Sequence, residues 1–121
     1  MSQLLPALGV VLVLGGLGHS IGVTHLYATQ GVPDVNRVLL DAWVAEAHIL
    51  GGGLYLAAFR AMRAGLAWRA LSVFGALTIL AYAVPFVPVL FIRAPMVFGI
   101  PPTIYLLLSV FILARTARSR P

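Results

Sequence analysis

The sequence has no cysteine, no lysine and only three acidic residues, Asp34, Asp41 and Glu46. The missing cysteines exclude disulfides, thiol redox chemistry and thiolate metal sites. The shortage of charge excludes more. Charged residues make up 9% of the chain and hydrophobic residues 61%, whereas a soluble domain has roughly 25% and 45–50%. So little charge cannot clothe a water-exposed surface, and the composition is that of an integral membrane protein. Familiar catalytic patterns are also absent. The chain contains no Gly-x-Ser-x-Gly, no His-Glu-x-x-His and no Gly-Lys-Ser/Thr phosphate loop.

The cations that remain are eight arginines, giving a net charge of +5. They gather where helices are expected to end, which fits orientation in a membrane rather than a nucleic-acid partner. At 121 residues one domain is expected, with room for about four spans of ~20 residues.

Taken in order, the chain predicts a first helix over residues 4–27. Pro6 falls in its first turn, where a missing N–H is tolerated. The run has no basic leader and continues past any cleavage point, so a retained helix is expected rather than a signal peptide. Gly18 and Gly22 form a small-xxx-small pair whose plainest use is packing inside the chain, with a homodimer seam as the alternative. Gly31 and Pro33 mark a turn, and Asp34 is placed to cap a second helix over 35–60. A third helix is expected over 66–83 and a fourth over 102–115. Between them lies VPFVPVLFIRAPMVFGIPP, residues 84–102, whose prolines are too closely spaced for one regular helix. A proline-broken segment is expected there. The predicted fold is all-α: an antiparallel bundle of four transmembrane helices. Arg60, Arg63 and Arg69 then share one side with Arg115, Arg118 and Arg120, which the positive-inside rule makes cytoplasmic, together with both termini.

Helix 2 carries the chemistry. On a helical wheel Arg37, Asp41, Val44, His48, Gly51, Gly52 and Tyr55 share one face, and Glu46 projects nearly opposite. Polar groups on two sides predict a central helix contacted from both. Ionisable residues inside a span usually face a protein interior. Glu46, His48, His19, Trp43 and Arg93 are the candidate ligand-binding residues, and each also has a plain structural reading. Glu46 serves equally well as a hydrogen-bonded structural carboxyl, and His19 as a polar link between helices. His48 can be satisfied by a neighbouring carbonyl, Trp43 by packing and Arg93 by lipid headgroups. His25 reads as an interface residue, Trp68 as an interface anchor, and Arg37 with Asp41 as an i,i+4 ion pair.

By depth, His19 can reach Glu46 or His48. His19 and His48 could therefore hold a b-type haem between adjacent helices, or the same residues could line a pocket for a quinone. The pair Glu46 and His48, two apart on a helix, does not have the spacing to hold one metal ion.

Several short stretches resemble the DoxX-like families of small bacterial inner-membrane proteins. These are Gly18-His19 in a glycine-rich first helix, Gly31-Val32-Pro33 in the first loop, Glu46 with Gly51-Gly52-Gly53-Leu54 in helix 2, and the basic turn from Arg60 to Arg69. The resemblance covers roughly the first two thirds of the chain; His25 stands near where that family often has a lysine. It implies a four-helix protein associated with membrane redox systems, often as an accessory subunit. The leading expectation is an accessory inner-membrane subunit that binds a lipid- or quinone-like ligand, in contact with membrane lipids and a larger membrane complex or a second copy. The alternatives are a haem- or quinone-carrying oxidoreductase subunit and a small transporter or proton relay built on Glu46.

Overall fold

A computed structural model describes the backbone of residues 1–93 and 100–118, and the side chains of residues 1–84 and 100–118. Every described element is a helix: α1 (Leu4–Gln30), α2 (Val35–Arg63), α3 (Arg69–Arg93) and α4 (Ile100–Arg118). α1, α2 and α4 are each long and apolar enough to cross a membrane. Large apolar side chains such as Leu14, Ile21, Leu39, Phe74 and Leu107 lie on the outside. That distribution suits a lipid-facing surface and would be costly in water.

The helix starts and stops follow from local chemistry. Asp34 is extended, and its carboxylate accepts the backbone N–H of Arg37 at 3.1 Å, capping α2 as expected. Gly31 closes the first turn with φ +89°, a left-handed value that a side chain would resist. Arg60 and Arg63 end α2, and Arg115 and Arg118 end α4. Cations are favoured at the negative end of the helix dipole. The guanidinium groups of Arg63, Arg69 and Arg115 sit over Phe59, Trp68 and Phe111 at 5.7–6.0 Å. Cation–aromatic pairs of this kind suit the headgroup level of a bilayer.

The third and fourth helices differ from expectation. α3 does not stop near Ala83. Its helical backbone continues through Pro85 and Pro88 to Arg93. These prolines remove the N–H groups that would bond to the carbonyls of Ala81 and Val84, at a cost of about 3 kcal/mol each in a helix interior. Abandoning the helix in an apolar medium would leave several backbone groups unpaired, at several kcal/mol apiece. The helix is therefore the cheaper outcome. α4 begins at Ile100, with Pro101 and Pro102 in its first turn, and runs to Arg118. Of the expected proline-broken segment, residues 94–99 lie outside the described residues.

In lipid, burial of apolar surface gives helices no reason to associate, so close packing and polar contacts must do so. The tightest approach is between α1 and α2. A Cβ added to Gly52 would lie 2.7 Å from the carbonyl oxygen of Gly9, and one added to Gly16 would lie 2.9 Å from that of Ala45. Gly18 and Gly22, the pair singled out for packing, are not used this way: among the described residues nothing lies within 4 Å of a Cβ at either. Gly51 packs on Ile79, and Gly75 on Tyr55, joining α2 to α3. The Tyr55 and Ser109 hydroxyls bond to each other at 2.8 Å, both fully buried, tying α2 to α4. Leu5, Leu8, Leu12, Tyr55, Ile79 and Ile112 form the main core. α2 thus contacts all three other helices. Met1, Trp68, Arg115 and Arg118 line one cavity of about 310 Å³, so the start of the chain, the α2–α3 turn and the end of α4 meet at one end.

Candidate functional site

Asp41 is the centre of the polar chemistry. It lies six residues into α2, ~9 Å from the helix start at 1.5 Å per residue, and it is buried. Its Oδ2 accepts from the Tyr27 hydroxyl at the far end of α1. The same oxygen accepts from Nε of Arg37 at 3.0 Å, one turn earlier on α2, and this is the expected i,i+4 ion pair. Its Oδ1 faces Nε2 of His19 at 3.4 Å. A buried carboxylate needs such partners, since an unpaired one would cost several kcal/mol. Arg37 neutralises the charge and Tyr27 supplies a neutral donor.

The His19 contact has a different character. Its Nε2 is within ion-pair distance of Asp41 yet makes no directed hydrogen bond, and it is buried without a hydrogen-bond partner among the described residues. A buried ring nitrogen in that state is uncommon and calls for a further partner. If Nε2 carries its proton, it can donate to an oxygen placed between the two helices. Next to the cluster, at the α1–α2 turn, is a cavity of about 380 Å³ lined by Leu26, Tyr27, Gln30, Pro33 and Arg37, among others. Tyr27 and Arg37 therefore face both the Asp41 carboxylate and this cavity. The Arg37 side chain is about half exposed, which leaves part of its guanidinium accessible.

The residues singled out from the sequence separate into three groups. His19 joins neither Glu46 nor His48 but Asp41. His48 is buried, with Nδ1 2.7 Å from the carbonyl oxygen of Val44 in its own helix. Its ring stands edge-on to Tyr82 of α3 at 4.7 Å and to Tyr105 of α4 at 5.6 Å, and its other side lies against Gly15 and Gly16 of α1. It is a packed joint between four helices. Glu46 and Trp43 are on the outer face of α2, both exposed. Glu46 makes no hydrogen bond or ion pair among the described residues. The face of Asp41 and His48 is covered as expected, whereas the face of Glu46 is not. Arg93 ends α3, and its side chain lies outside the described residues.

A bis-histidine haem would require His19 and His48 to present nitrogens to one gap wide enough for a macrocycle. Here His19 turns Nε2 toward Asp41, and His48 is held between Tyr82 and Tyr105. The residues present do not fit that group. Among the described residues no three of His, Cys, Asp and Glu come together as a metal site. Sequence reasoning gave Tyr27 no role beyond ending the first helix and missed it as a partner of Asp41. The available signal was weak: Tyr27 and Asp41 flank the turn at similar depth, but their facing depends on helix rotation. Comparison with protein-family models, curated proteins and solved structures finds no match to this chain.

Proposed function

We propose that this is a four-span membrane protein that binds a quinone-like lipid, as an accessory component of a membrane redox system. The head group would sit at the cluster of His19, Tyr27, Arg37 and Asp41, and the tail would lie along the bundle in lipid. One observation carries the reading: among the described residues the buried Nε2 of His19 has no hydrogen-bond partner while it faces the Asp41 carboxylate, beside a cavity that Tyr27 and Arg37 line. A quinone oxygen is an acceptor suited to that nitrogen, and a nearby carboxylate suits proton exchange with the ring. The depth of Asp41, near the polar end of α2, fits an amphiphile with its head below the headgroups. The resemblance to DoxX-like proteins supports the redox association.

In this reading the four helices run antiparallel. The contacts of Gly9 with Gly52 and of Gly16 with Ala45 support opposed directions for α1 and α2, as the contacts of Gly51 with Ile79 and of Gly75 with Tyr55 do for α2 and α3. The arginine-rich end, which carries both termini, is cytoplasmic, and the Asp41 cluster lies toward the opposite face of an inner membrane.

The test is photolabelling of the protein in lipid nanodiscs with an azido-ubiquinone analogue, followed by peptide mass spectrometry. Labelling is expected on peptides spanning residues 19–41, competed by decylubiquinone and reduced at least tenfold in His19→Ala and Asp41→Asn. Circular dichroism checks that the variants fold. Uniform labelling of the lipid-facing surface, unchanged by either substitution, would overturn the reading.

A further inference from the structure

Glu46 is the twelfth residue of α2, and the helix midpoint is Ile49, so its carboxyl is only ~4.5 Å from mid-depth at 1.5 Å per residue. It is exposed on a face that is otherwise apolar: Leu39 is 62% exposed, Trp43 49% and Leu50 57%. Next to Leu50, Gly53 leaves a shallow notch, since among the described residues nothing lies within 4 Å of a Cβ there. A carboxylate at this depth pairs with a cation or turns away from lipid. Glu46 does neither among the described residues.

Among the described residues the chain provides no cation for Glu46. It has no lysine. Arg37 lies in the first turn of α2, Arg60 and Arg63 in its last, Arg69 and Arg93 at the two ends of α3, and Arg115 and Arg118 in the last turn of α4. A second copy in the same orientation would bring none of these to the level of Glu46. Its mid-span histidines are also turned elsewhere, His48 inside the bundle and His19 toward Asp41.

We infer that the outer face of α2 docks a transmembrane helix of a different protein, one that carries an arginine or lysine near its own midpoint. Glu46 pairs with that cation, Trp43 and Leu50 flank it, and the notch at Gly53 admits the partner backbone. This rests on the accessory-subunit reading and gives the partner its chemistry; it does not depend on the ligand at Asp41.

The test uses the full chain in liposomes with designed leucine-rich transmembrane peptides that differ only at the central residue. Association is followed by energy transfer from a dye on Ala64→Cys. The peptide with central arginine is expected to associate at least tenfold more tightly than the one with central leucine. Glu46→Gln should reduce it to the leucine level. Glu46→Arg should reverse the preference toward a peptide with central glutamate. Equal association of the arginine and leucine peptides would overturn the proposal. So would self-association of the chain that Glu46→Gln abolishes, which would assign the face to a second copy. The protein is also isolated from its native membranes in mild detergent. A stoichiometric partner retained equally by wild type and Glu46→Gln would overturn this surface and keep the accessory role, whereas no stoichiometric partner would overturn both. Azidoquinone labelling should be the same in Glu46→Gln, so the two sites fail separately.

Discussion

Nε2 of His19 in α1 lies 3.4 Å from Oδ1 of Asp41 in α2, and this contact joins the two helices where the chain has little else polar to join them. Tyr27 reaches the same carboxylate from the end of α1, so one acid on α2 holds two residues of α1. In a medium where apolar burial does not drive helix association, such contacts carry a larger share of specificity.

Asp41→Asn removes the charge that Arg37 and Tyr27 serve while keeping the shape. A loss of about 1.5–3 kcal/mol is expected, the range for hydrogen bonds to charged groups. Tyr27→Phe should cost less, about 1 kcal/mol. Combined, the two should cost less than their sum, because they share one interaction. Unfolding of the purified protein in mixed micelles measures all three; strict additivity would show that the hydroxyl and carboxylate act independently.

The glycines divide into used and unused. Gly52→Ala places a methyl 2.7 Å from the Gly9 carbonyl oxygen, and overpacking of this kind costs about 1–3 kcal/mol. Gly18→Ala and Gly22→Ala meet nothing among the described residues and should leave stability unchanged or slightly raised. A marked loss from either of these, with Gly52→Ala silent, would mean that the α1 stripe facing α2 is a different one.

Because the chain has no cysteine, single introduced cysteines report orientation without background. Val32→Cys, at the α1–α2 turn, should react with a membrane-impermeant maleimide in intact cells. Ala64→Cys and Ala117→Cys, at the arginine-rich end, should react only after the membrane is opened. Labelling of all three in intact cells, or the reverse pattern, would refute the proposed topology.

Much of this was readable along each helix taken alone. The Asp34 cap, the Arg37–Asp41 pair and the division of α2 into a polar face and a Glu46 face all depend on spacing within one helix, and the 3.6-residue period sets them. The ends of α3 and α4 were less readable. Proline preferences drawn from water underestimate how strongly an apolar medium holds backbone in a helix. Glu46 shows another limit: its direction was clear, but not whether anything covered it.

The sequence by itself determined that this is a membrane-type helical protein, which residues start its first two helices, and which side chains of one helix point together. Only the tertiary structure decided that His19 meets Asp41 rather than Glu46 or His48, that Gly9, Gly16 and Gly52 rather than Gly18 and Gly22 bring helices close, and that Glu46 is left outside. The physical reason is rotation. A helix's period fixes the angles between its own side chains, but the turn of one helix about its axis relative to the next is set by how their ridges and small residues pack.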